Sequence, residues 1–105
     1  MFARVTTYDL HAGRASESIE AFGPAIDRIR SLEGLVDAYF LVERDGGRAV
    51  SLTVWDSVEA MERGRMAATR ARNEAAEAAG AEVTSTYEYE VGVHSGAGAA
   101  ETSLT

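Results

Sequence analysis

The sequence contains neither cysteine nor lysine. Without cysteine the chain has no disulfide, no thiol nucleophile, no iron–sulfur ligand set and no thiolate zinc site. Without lysine it has no Schiff-base amine and no phosphate-loop ammonium; all ten basic residues are arginines. Histidine occurs only as His11 and His94, at opposite ends of the sequence, so no metal site and no cofactor ligand set is expected. Proline occurs once, and no apolar run approaches the ~18 residues that span a membrane. The first residues pass straight into strand-like alternation, with no basic segment followed by an apolar one. The expectation is therefore a cytoplasmic protein with no membrane partner. A formal charge of −7, with arginines scattered along the chain, gives no basic face for phosphate neutralisation and so no nucleic-acid partner.

What is present fits one domain. At 105 residues and 11.2 kDa the chain can bury a single core, and its 46% hydrophobic and 26% charged content is ordinary for a globular protein. Residues 2–8 alternate, with Phe2, Arg4, Thr6 and Tyr8 on one face and Ala3, Val5 and Thr7 on the other, which predicts a strand. After a turn at His11-Ala12-Gly13, Ile19, Phe22, Ile26 and Ile29 recur at helical spacing from Ser16 to about Leu32. Pro24 removes the hydrogen bond to the Glu20 carbonyl and predicts a kink after Gly23, and Gly34 suits a left-handed cap. Residues 35–43 and 48–55 form a hairpin across Asp45-Gly46-Gly47. Ser57 then caps a second helix, with Glu59 and Glu62 in its first turns, that runs to about Ala79 and stops at Gly80. Residues 82–93 give a fourth strand, with Val83, Ser85, Tyr87, Tyr89 and Val91 on one face. The domain is expected over 1–94 and a disordered tail over 95–105.

The order β-α-β-β-α-β predicts an α+β, ferredoxin-like fold: an antiparallel four-stranded sheet with both helices on one face. The other face is left uncovered. It would display some of Val50, Leu52, Val54, Val83 and Tyr87, an apolar patch whose natural remedy is a homodimer joined through sheet faces.

Several local features fall where the dimeric α+β barrel superfamily has them: the turn with Gly13, the helix exit Leu32-Glu33-Gly34-Leu35, and Val54-Trp55-Asp56-Ser57-Val58-Glu59-Ala60. The last, a strand ending in Trp before a Ser-capped helix, resembles the antibiotic-biosynthesis-monooxygenase group over residues 2–93. The resemblance implies the barrel dimer and, in one branch, oxygenation of a small aromatic or polyketide-type compound without metal or flavin. A haem-degrading branch uses Asn, Trp and His where this chain has Thr6, Gly64 and Glu74, which argues against that chemistry. Because the fold hosts many functions, two other readings stand beside the oxygenase: a non-catalytic dimeric domain that binds a small ligand, and an isomerase or decarboxylase.

Within that frame Trp55, Arg65 and Arg72 are the candidate catalytic residues. Trp55 either stacks on a planar ligand at a cavity mouth or closes the core at the sheet end. Arg65 and Arg72 flank a small-residue stripe of Ala60, Gly64, Ala68, Ala71 and Ala75. There they either stabilise a phenolate or enolate or extend to solvent. The pairs Glu59/Arg63 and Arg70/Glu74 read as solvated helix surface. Arg4 and Thr6 on the first strand, with Tyr39 and Tyr87, are candidate substrate contacts, and Glu88 or Glu90 is the expected partner of a buried Arg4. His11, in a turn, is the one near-neutral base in the domain, and no Asn, Gln, Cys or Lys is expected in the pocket.

Overall fold

A computed structural model of the chain describes residues 1–11 and 13–95. Ala12 of the first turn, and the expected tail from residue 96 onward, lie outside the described residues. The elements are β1 (Phe2–Asp9), α1 (Ala15–Ile29), β2 (Leu35–Val42), β3 (Arg48–Trp55), α2 (Val58–Ala79) and β4 (Glu82–Glu90). The strands form one sheet in the order β2-β3-β1-β4, every neighbouring pair antiparallel, so the ferredoxin-like expectation holds. Among the described residues no helix is long and apolar enough to cross a membrane.

Pairing register shows which side chains share a face, because residues directly opposite one another point to the same side of a sheet. Four rows cross the side covered by the helices. Phe40, Ser51, Thr6 and Thr86 form one, and Ala38, Thr53, Arg4 and Glu88 the next. Leu35, Trp55, Phe2 and Glu90 lie beyond these at one end, and Val42, Ala49, Tyr8 and Val83 at the other. The outer face carries Ala3, Val5, Val50, Leu52, Val54, Tyr87 and Tyr89 in the complementary register. One face assignment changes: a bulge between Thr7 and Tyr8 sets Val83 opposite Tyr8 and moves it off the outer face.

The helices also depart in detail from expectation. α1 continues through Pro24 as one element and ends at Ile29, with Leu32 held in the following turn by its N–H to the Ile29 carbonyl at 2.9 Å. Ile19 is 51% exposed, and the face turned inward is Ser18, Phe22, Ala25 and Ile29. Ser18 tolerates burial because its hydroxyl donates to the Arg14 carbonyl at 2.8 Å. α2 starts at Ser57, whose Oγ accepts the Ala60 N–H at 3.1 Å. Its small-residue stripe is buried throughout. Alanine suits both the helix and the close approach of α2 to the sheet. At Gly64 that approach is tightest: a β-carbon there would lie 2.5 Å from the Trp55 ring. Glu74 pairs with Arg28 of α1 and Arg63 with Glu33, so these residues link separate segments instead of forming the i, i+4 pairs expected within α2.

Candidate active site between the helices and the sheet

The two central rows of the sheet and the facing sides of both helices line a partly open cavity of about 50 Å³. Arg4 and Thr6 of β1 with Ser51 and Thr53 of β3 make its floor. Phe22, Ala25, Ile26 and Ile29 of α1, and Ala68, Thr69, Ala71 and Arg72 of α2, make its roof. Floor and roof differ in character, hydroxyl and guanidinium groups below and mostly aliphatic carbon above. At roughly 10–15 Å³ per water it holds about four waters, so a whole ring fits only if the roof yields.

The candidate residues divide by where the fold puts them. Arg4, Thr6 and Arg72 meet in the cavity lining, and Tyr39 borders it from the edge strand, although its register opposite Leu52 sets its side chain on the outer face. Tyr87 lies outside the cavity, because it pairs with Val5 on the outer face and is 61% exposed. Trp55 is outside too: it is fully buried, in the end row of the sheet beneath Gly64, with its indole N–H on Thr53 Oγ1 at 3.0 Å. Arg65 is drawn away from the lining by two carboxylates, Glu62 and Glu88. His11 and His94 are exposed and not in the lining.

Burial of Arg4 is compensated. Its Nε donates to Glu88 Oε2 at 3.0 Å and its Nη2 to the Met61 carbonyl at 3.4 Å. Glu88 therefore serves two guanidinium groups. Its carboxyl is held below the usual range, chiefly by hydrogen bonding to Arg65; burial, the next-largest effect, opposes this, and Arg4 adds to the lowering. Arg72 is different: no carboxylate pairs with it among the described ion pairs. Its Nε and Nη2 both donate to Asn73 Oδ1, at 3.1 and 2.9 Å, and its Nη1 reaches Thr86 Oγ1 at 3.3 Å. A neutral amide thus holds the guanidinium at the cavity and leaves its charge unneutralised. An asparagine with a part in the site was not expected.

Tyr8 lies beside the floor, in the end row of the same sheet face. It is fully buried, its ring edge-on to Phe22 and Phe40, and its hydroxyl is 2.7 Å from Ser51 Oγ. Burial pushes this phenol up to about 12, despite hydrogen bonds to Ser51 and Thr6 and the charge of Arg72, so Tyr8 stays protonated at neutral pH. The hydroxyls of Ser51, Thr53 and Tyr8 were absent from the candidates. Ser and Thr are such ordinary strand residues that only their register beneath the helices distinguishes them.

A family model for antibiotic biosynthesis monooxygenases matches residues 1–66, which include Arg4, Thr6, Ser51 and Thr53 and stop short of Arg72. An uncharacterized protein of Mycobacterium tuberculosis, found in two strains, is 38% identical over 63 residues, 59% of this chain. The match spans only 28% of that relative's length. Among solved structures, a candidate antibiotic biosynthesis monooxygenase from Deinococcus radiodurans superposes with a TM-score of 0.72 at 17% identity, covering 90% of this chain and 96% of that one. A cofactor-independent oxygenase from Streptomyces nogalater gives 0.66 at 17% identity, covering 89% and 94%. At these identities the structural likeness establishes the fold.

Proposed function

Because the chain belongs to the antibiotic biosynthesis monooxygenase family, we propose that it is a homodimeric, cofactor-independent oxygenase of a small electron-rich aromatic or polyketide-type compound, bound between helices and sheet. The observation that carries the reading is Arg72, a guanidinium at the cavity with only neutral partners. An anionic ligand supplies the missing counter-charge, and a phenolate or enolate is the form of such a compound that reacts with oxygen. For an anthrone the balance is simple. The ring CH2 becomes C=O, one atom of O2 enters the carbonyl, and the other leaves as water with the two hydrogens.

Among the described residues, no carboxylate or imidazole lines the cavity. The anion therefore forms in solution and is selected as such, and the protein's contribution is charge complementarity and exclusion of water. The same lack, together with the small volume, favours the second reading, a non-catalytic domain that binds such anions.

An oxygen electrode with a panel of anthrones and hydroquinones separates the two. The oxygenase reading expects uptake above the spontaneous rate, reduced roughly 100- to 1000-fold in Arg72→Ala, the range for loss of one transition-state-stabilising donor. Binding of these compounds without uptake would leave the binding-domain reading.

A further inference from the structure

Resting on the anion-binding reading above, we infer that the hydroxyls of Ser51 and Thr53 are a preset pair of hydrogen-bond donors that takes the anionic oxygen edge of the ligand, with Trp55 and Tyr8 acting as positioning residues behind them. Both hydroxyls belong to the cavity lining, and they are two residues apart on the helix-facing side of β3.

A hydroxyl is donor and acceptor alike, so its direction is set by what it meets. The indole N–H of Trp55 can only donate, and it donates to Thr53 Oγ1. Thr53 is thereby the acceptor in that bond, and its own proton is left to point elsewhere. The Arg72 guanidinium likewise only donates, and its Nη1 is on Thr86 Oγ1. Thr86 Oγ1 also lies 3.2 Å from Thr6 Oγ1, where either hydroxyl can donate. The Tyr8 phenol sits 2.7 Å from Ser51 Oγ. The phenol, the more acidic hydroxyl of the last pair, donates to Ser51. The indole N–H thus directs the Thr53 hydroxyl and the Tyr8 phenol the Ser51 hydroxyl, and both of these hydroxyls of β3 line the cavity.

The polarity has a chemical consequence. A floor of free donors under an unneutralised guanidinium favours an oxygen that carries charge over one that must itself donate. It selects a phenolate, enolate or carboxylate against the neutral phenol. The fully buried Trp55 then influences the ligand without touching it, through the direction of one hydroxyl.

The test uses 4-nitrophenol, at a pH where it is ionised, against nitrobenzene, which has the same ring and no phenolate oxygen. Affinity of the full chain for each is read by calorimetry or by the visible band of the phenolate. Thr53→Val and Ser51→Ala are each expected to weaken the phenolate by about tenfold, the size of one hydrogen bond to a charged group, and to change nitrobenzene less than about twofold. Tyr8→Phe keeps the ring packing and frees Ser51 to rotate, and should weaken the phenolate by a smaller factor. Equal losses for both compounds would mark the hydroxyls as packing groups and overturn the inference while leaving the cavity reading intact. Wild-type protein that binds neither compound would overturn the cavity reading, and this inference with it.

Discussion

At the residue scale the site is governed by which charges have partners. Arg4 and Arg65 share Glu88, whereas Arg72 is held by an amide, so three arginines near one cavity have different fates. Glu88 has a folded pKa depressed below its ordinary value, chiefly by Arg65. Its stabilising contribution is therefore fully present above the unfolded carboxylate pKa and is lost as pH falls through the depressed folded value. Glu88→Gln should cost about 1–3 kcal/mol at neutral pH. That is less than a fully buried pair, because the Glu88 side chain is 31% exposed. Denaturant melts from pH 7 down into the acid range check this: the gap between Glu88→Gln and wild type should narrow as Glu88 protonates. A gap constant with pH would mean that the pair contributes shape and not charge. Of the two roles open to Trp55, its full burial beneath Gly64, where α2 comes close over the indole, fits closure of the core at the sheet end.

At the scale of elements, much was legible and the exceptions have causes. The alternation of β1 correctly grouped Arg4, Thr6 and Tyr8, and the hairpin glycines joined β2 to β3 as expected. The α2 stripe also emerged intact, because small residues at helical spacing mark the face that turns toward the sheet. Val83 was misplaced because a bulge shifts the side-chain period by one residue without leaving a mark in composition. Ile19 was misplaced because a helical wheel does not show where the contact face ends. Ser51 and Thr53 were missed because their importance is a matter of register across three strands, which no local pattern carries. The roof of the cavity is the element most open to test. Pro24 lies inside α1, lacks the N–H that would bond Glu20, and is exposed, so nothing in the core requires it. Pro24→Ala should therefore raise stability by about 1–2 kcal/mol, the interior-proline cost less what the ring saves in unfolded-chain entropy. If the weakened helix is what lets a ring enter so small a cavity, the same variant should bind 4-nitrophenol more slowly in stopped-flow. Faster or unchanged association would show that the roof opens elsewhere.

At the scale of the whole molecule, the sheet has two faces with opposite needs. The helix side hosts the polar floor, while the outer side carries Val5, Val50, Leu52 and Val54 half-buried, with Tyr87 and Tyr89 at 61% and 53% exposure. This apolar surface is contiguous across the central strands, and a second copy presenting the same face would cover it by two-fold symmetry. Sedimentation should then give a species of twice 11.2 kDa. Leu52→Asp would bury an unpaired carboxylate at the centre of that contact, a cost of roughly 3 kcal/mol or more, which weakens association about 100-fold or further. Tyr87→Glu, at a more exposed position, tests the same surface with less risk to the monomer's own folding. Neither residue lines the cavity, so discrimination between 4-nitrophenol and nitrobenzene should persist in a folded monomer if one chain suffices for the site. Loss of that discrimination on dissociation would mean that the partner's sheet is needed to hold β1 and β3, and with them the hydroxyls of the floor, in register.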